Sequence, residues 1–132
     1  MSSPDTGVRG VVLAHGPMAR AMVDAGRRIA GDTADAQVPL SNDQKSPDGL
    51  KEELDRTLGD GSVVVFTDLQ SGSCGMAALA TCRDAGRRLV VCGVNLPMLL
   101  DFVFHRDLPL DELADRLVER GKASITRPAV RR

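Results

Sequence analysis

Apolar residues gather along the chain in four short runs, with segments of helical periodicity between them. The runs are GVVLA at residues 10–14, the weaker AQVPL at 36–40, SVVVFT at 62–67 and RLVVCGV at 88–94. The first, third and fourth are continuous instead of alternating. Strands read that way when both faces of a sheet are covered, as in parallel sheets. Between the first two runs, Pro17 suits a first helical position, and Met18, Met22, Ala25 and Ile29 recur at spacings of three and four before a stop at Gly31. A second helix is predicted from a cap at Ser46 and Pro47 in the first turn, with Leu50, Leu54 and Leu58 as its apolar stripe. A third packs small residues and Leu79, and Gly86 closes it. NLPMLLDFVFHRD, after the fourth run, reads as a loop and a short helix. PLDELADRLVERG then reads as an amphipathic helix with Leu110, Leu113 and Leu117 on one side. KASIT, residues 122–126, reads as a final strand.

Strand and helix alternate, so the predicted class is α/β, a doubly wound and mainly parallel sheet. Right-handed crossovers leave few topologies, and the common order 2-1-3-4 is expected, with residues 122–126 as an antiparallel strand at a C-terminal edge. The 132 residues are expected to form a single domain, with an ordered core from about residue 8 to about residue 125. No internal repeat or inter-domain linker interrupts them.

Composition narrows the chemistry. Hydrophobic residues are 42% of the chain and aromatics 2%, so the core must be built from Val, Leu, Ile, Ala and Met. A formal net charge of −1 speaks against broad electrostatic capture of nucleic acid or of an acidic membrane. No apolar run nears the ~20 residues of a membrane span, so no direct membrane insertion is expected. The N-terminal segment lacks a signal-peptide core. Three cysteines without metal-like spacing point to reduced thiols in a cytoplasmic protein and to no metal site.

The order 2-1-3-4 makes the first and third strands neighbours, and a crevice opens between their carboxyl ends. His15, one of two histidines, follows the first strand directly, and Asp68 follows the third. Each alone is an ordinary loop or cap residue. Their joint placement at a switch point is what suggests chemistry. A carboxylate accepting from one ring N–H fixes the tautomer and leaves the other nitrogen nucleophilic. QSGSCG, after Asp68, leads into a helix, where small residues admit a ligand and free amides bind anions. Gly72 and the hydroxyls of Ser71 and Ser73 are the expected phosphate contacts. Cys74, at the same helix start, could be activated, although packing is the simpler reading. His105 reads as a structural residue at a helix end.

Three stretches, GVVLAHGPMARAM, VVVFTDLQSGSCGMAA and VVCGVNLPMLLDFV, carry a resemblance to the IIA domains of the mannose family of the bacterial sugar phosphotransferase system. GVNLPML is the most specific block, and the resemblance spans roughly residues 8–125. It implies that His15 accepts a phosphoryl group from the phosphocarrier HPr and passes it to a IIB protein of a sugar permease. Asp68 matches the orienting aspartate, and Ser73 matches the serine of the family's Gly-Gly-Ser-Pro turn. No cofactor is implied. Such proteins often form homodimers that share a C-terminal strand, which KASIT would supply. The chain departs from the family at Gln70, usually a large residue, at Cys74, usually proline, and at Met76, commonly asparagine. Two other readings compete: a phosphocarrier subunit for dihydroxyacetone kinase, and a non-catalytic sensory or interaction module of the same fold.

Overall fold

Strand β1 (Arg9–Ala14) pairs in parallel with β2 (Gln37–Ser41) on one side and with β3 (Val63–Thr67) on the other, and β4 (Arg88–Cys92) lies parallel beyond β3. The order is β2-β1-β3-β4, the one expected. The structure, a computed structural model, describes residues 7–83 and 86–130. The N-terminal segment read as lacking a signal-peptide core lies largely outside those residues.

Successive residues of the central strands face opposite ways, so continuous apolar runs feed two cores. Val12, Ala14, Val64 and Phe66 point to one face, where helices α1 (Met18–Ala30), α4 (Leu96–Val103) and α5 (Leu110–Ala123) pack. Val11, Leu13, Val63 and Val65 point to the other, against α2 (Pro47–Leu58) and α3 (Ser73–Thr81). The core is not wholly aliphatic as composition suggests: Phe66 and Phe102 are fully buried in it, and their rings meet edge-to-face at 5.3 Å over Gly10. A Cβ at Gly10 would come within 2.9 Å of the Phe102 ring, so the glycine makes room for the aromatic pair. Among the described residues, no helix is long and apolar enough to cross a membrane.

Helix α2 forms as its sequence predicts. The Ser46 hydroxyl accepts from the Gly49 amide at 3.0 Å, Pro47 opens the helix, and Leu50, Leu54 and Leu58 are buried. Helix α1 differs in register. Met18 and Ile29 are exposed, and the buried face is Ala19, Val23 and Gly26. Small residues let this helix lie close on the sheet; of the larger apolar residues of the expected stripe, Met18 and Ile29 fall to its outer side and Met22 is partly buried at the edge of the core. In α3, Leu79 is likewise exposed, and the helix ends at Thr81, before Gly86.

Residues 122–126 are a correction: they form no strand within this chain. Lys122 and Ala123 complete the last turn of α5, and the amides of Ser124 and Ile125 close on the carbonyls of Arg120 and Lys122. The chain then runs on to residue 130 without regular structure and exposed.

Candidate functional site

The carboxyl ends of β1, β2 and β3 release three loops toward one another. His15 leaves the end of β1, with its side chain 42% exposed. Asp68 leaves the end of β3, and its side chain is only 10% exposed. Two amides hold the end of β3 in place: Gly93 and Val94, just past β4, both donate to the Thr67 carbonyl, at 2.9 and 3.0 Å. A positive φ of 83° at Gly93 makes that turn, which suits glycine.

Asp68 grips His15 twice through one oxygen. Its Oδ2 accepts from the His15 backbone amide at 2.9 Å and lies 2.8 Å from the ring Nδ1. Its Oδ1 accepts from the Leu69 amide at 3.0 Å. Burial raises the Asp68 carboxyl pKa, but the hydrogen bonds and charge of His15 and the Leu69 amide outweigh it, and the group lies below its ordinary value. An ionised carboxylate can only accept, so Nδ1 carries the proton and the lone pair sits on Nε2.

Nε2 faces the start of α3. The Ser73 hydroxyl lies 3.5 Å from it. Gly72 comes so close that a Cβ there would lie 3.5 Å from the ring's Cε1 and 3.6 Å from Nε2. Its φ of 96° again suits glycine. The amides of Ser73, Cys74 and Gly75 fill the first turn of α3, where no earlier helical carbonyl can take them, and no side chain caps the helix. This turn is pressed hard against the preceding loop: a Cβ on Gly75 would fall 2.0 Å from the Gln70 carbonyl oxygen. Such a helix start, with its amides and dipole, favours a small anion beside Nε2.

His15, Asp68, Gly72 and Ser73 are thus gathered into one site. Ser71 is exposed on the same loop, and among the described residues its hydroxyl makes no hydrogen bond within the protein. Asn42, just past β2, is a residue the sequence reading does not single out. Its Oδ1 accepts from the Gly16 amide at 3.3 Å and its Nδ2 donates to the Ser73 Oγ at 3.0 Å. The strand order contained the signal, since it sets the loop after β2 beside the end of β1. His105 stands elsewhere: its Nδ1–H donates to the Asp101 carbonyl at 2.8 Å, and its neighbour Arg106 binds the Val8 carbonyl at the foot of β1.

Cys74 is fully buried behind the site, and burial together with the Asp68 charge pushes its thiol up to about 11. That is the opposite of an activated thiol. Its sulfur does lie within 4.8 Å of ligand atoms of His15 and Asp68. A metal would have to deprotonate this thiol and take the carboxylate oxygen that already holds the imidazole. The trio therefore fits a hydrogen-bonded histidine better than a metal centre. A cavity of about 400 Å³ opens on the far side of Gly16, lined by Pro17, Arg20, Pro39 and Ser41 among others. Neither His15 nor Asp68 lines it, and the His15 side chain remains 42% exposed outside it.

GVNLPML proves to be a structural clasp. Asn95 caps α4 by accepting from the Met98 amide at 3.1 Å. The same side chain donates to the Gly121 carbonyl at 3.0 Å, tying the end of α5 to the end of β4.

Known proteins share this fold. The mannose/sorbose-specific IIA subunit of the phosphotransferase system from Enterococcus faecalis superposes with a TM-score of 0.84 at 24% identity, over 96% of this chain and 98% of that one. Phosphotransferase system component EIIA from Streptococcus agalactiae gives 0.84 at 23% identity, over 91% and 96%. A IIA protein associated with the fucose utilization operon of Streptococcus pneumoniae gives 0.75 at 20% identity, over 92% and 93%. At these identities the superpositions speak for the fold. The family model EIIA-man, described as the PTS system fructose IIA component, matches residues 10–118, and the chain therefore belongs to this family of IIA components of the sugar phosphotransferase system.

Proposed function

We propose that the chain is a histidine phosphocarrier that takes a phosphoryl group on Nε2 of His15 from an HPr-like donor and passes it to a IIB protein. The single observation that carries this reading is the paired grip of Asp68 on His15, with Nε2 left facing the first turn of α3. In the transfer, the nitrogen–phosphorus bond of the donor breaks as a bond forms from phosphorus to Nε2. The Nδ1 proton stays on the ring, and the Asp68 carboxylate offsets the positive charge that develops there. Ser73 and the amides from Gly72 onward would hold the phosphoryl oxygens, with Ser71 as an outer contact. No Lys or Arg belongs to this set. Dipoles hold the group firmly enough to receive it and loosely enough to hand it on.

Both partners must approach the rim, where Met18, Leu69 and Met76 are exposed apolar residues around the imidazole loops. That suits a protein partner with an apolar docking face. A IIA component of this family is compatible with a cytoplasmic setting, and a homodimer sharing a C-terminal strand belongs to the same proposal.

The test is intact-mass measurement after incubation with phosphoenolpyruvate, the enzyme that charges HPr, and HPr. One added phosphate, labile in acid and stable in base, is expected on the wild-type chain and none on His15→Ala. Labelling that survives in His15→Ala would overturn the reading.

A further inference from the structure

We propose that Asn42 is a positioning residue for phosphoryl transfer, acting through the hydroxyl of Ser73; the inference rests on the phosphocarrier reading above. Two of the groups that meet Asn42 and Ser73 can hydrogen-bond in one sense only. A backbone amide can only donate, so the Gly16 N–H fixes the carbonyl oxygen of Asn42 toward itself, at 3.3 Å. The amide nitrogen of Asn42 then faces Ser73, with Nδ2 3.0 Å from Oγ. Nδ2 can also only donate, so the serine oxygen must accept. The serine proton is thereby released to point elsewhere, and His15 Nε2 is the ring nitrogen 3.5 Å from Oγ. Asp68 holds the proton on the other ring nitrogen, so Nε2 offers a lone pair in that direction.

The chain of bonds has a direction: Gly16 N–H to Asn42, Asn42 to Ser73, Ser73 toward the reacting nitrogen. At 3.5 Å the last link is long while the imidazole is free. A phosphoryl group on Nε2 brings oxygens into that gap, and a hydroxyl already turned toward them donates without first losing rotational freedom. The relay also joins the loops after β1, β2 and β3, so the β2 loop contributes to the site without touching the imidazole.

The experiment is a double-mutant cycle on the rate of phosphoryl transfer from phosphorylated HPr, with the lifetime of the phosphohistidine as a second readout. Asn42→Ala and Ser73→Ala should each slow transfer by about tenfold, the scale of one hydrogen bond made in the transition state. The double variant should be no slower than Ser73→Ala alone, because Asn42 then has nothing left to position. A residue that merely stiffened the β2 loop would give effects that multiply, and that result overturns the inference. Asn42→Asp keeps the acceptor for Gly16 and removes the donor, so it carries the same cycle if Asn42→Ala fails to fold. Equal losses from Asn42→Asp with and without Ser73 would trace the effect to charge and overturn it as well. Wild-type labelling with Asn42→Ala at the wild-type rate removes this inference alone. A wild-type chain that never labels removes the phosphocarrier reading and this inference together.

Discussion

At the scale of single residues, Asp68 links chemistry to stability. Its carboxyl lies below its ordinary 3.8 because the folded chain surrounds it with donors from His15 and Leu69. The unfolded chain therefore takes up this proton at a higher pH than the folded chain does. The stability contributed by the site is complete above that ordinary value and is lost as pH falls from there through the lowered folded value. Denaturation midpoints followed from about pH 6 down to about pH 2 should show this acid-dependent loss in the wild type. The part due to Asp68 should be missing in Asp68→Asn. The same variant presents an amide where the ring needs an acceptor, so phosphoryl transfer should fall by roughly a hundredfold or more while the fold is kept, as when a triad loses its orienting acid. An unchanged rate would remove Asp68 from the mechanism. His15 and Asp68 were legible in the sequence because each directly follows a strong apolar run, where a strand end is hard to misplace. Asn42 was not, because it sits in the polar stretch SNDQK after the weakest strand. Its partners become apparent only when three loops are seen together.

At the scale of elements, helix α3 is the part on which the site depends most. It is made of small apolar residues, and its first turn is held against the loop of Leu69 and Gln70. Gly75→Ala would place a Cβ 2.0 Å from the Gln70 carbonyl oxygen, a backbone atom that no rotamer change can move aside. The helix start must then retreat from the loop and from Nε2. A loss of roughly 1–3 kcal/mol in a urea titration is expected. Transfer should slow more than Ser73→Ala alone slows it, because amides and hydroxyl are displaced together. Wild-type stability in Gly75→Ala would show that this loop is not pressed on the helix. Legibility among the elements follows how much each depends on distant packing. Helix α2 announces itself through a cap, a proline and a leucine stripe, all local signals. Helix α1 misleads by one position, since periodicity cannot tell that Ala19 and Gly26 are wanted against the sheet for their small size while Met18 stays outside.

The whole molecule leaves one segment unaccounted for. Beyond Ser124 the chain carries Ile125 and Val130 at 79% and 87% exposure, apolar side chains with no core of their own. The sheet meanwhile ends on β4, whose outer edge pairs with no strand among the described residues. An open strand edge and an uncommitted tail are complementary, because the edge offers backbone partners that a tail without regular structure can take up. The same tail cannot readily serve its own sheet, since α5 delivers it past the end of β4 with Ser124 already tied to Gly121. A strand expected from KASIT and absent within one chain is therefore still compatible with pairing between two. In a homodimer, sedimentation equilibrium should give twice the 14.0 kDa of one chain. A chain ended after Ser124 should sediment as a monomer and still accept phosphate on His15, because the site draws its residues from the loops after β1, β2 and β3. A full-length chain that stays monomeric at every concentration would leave Ile125 and Val130 as solvated tail residues and remove the shared strand.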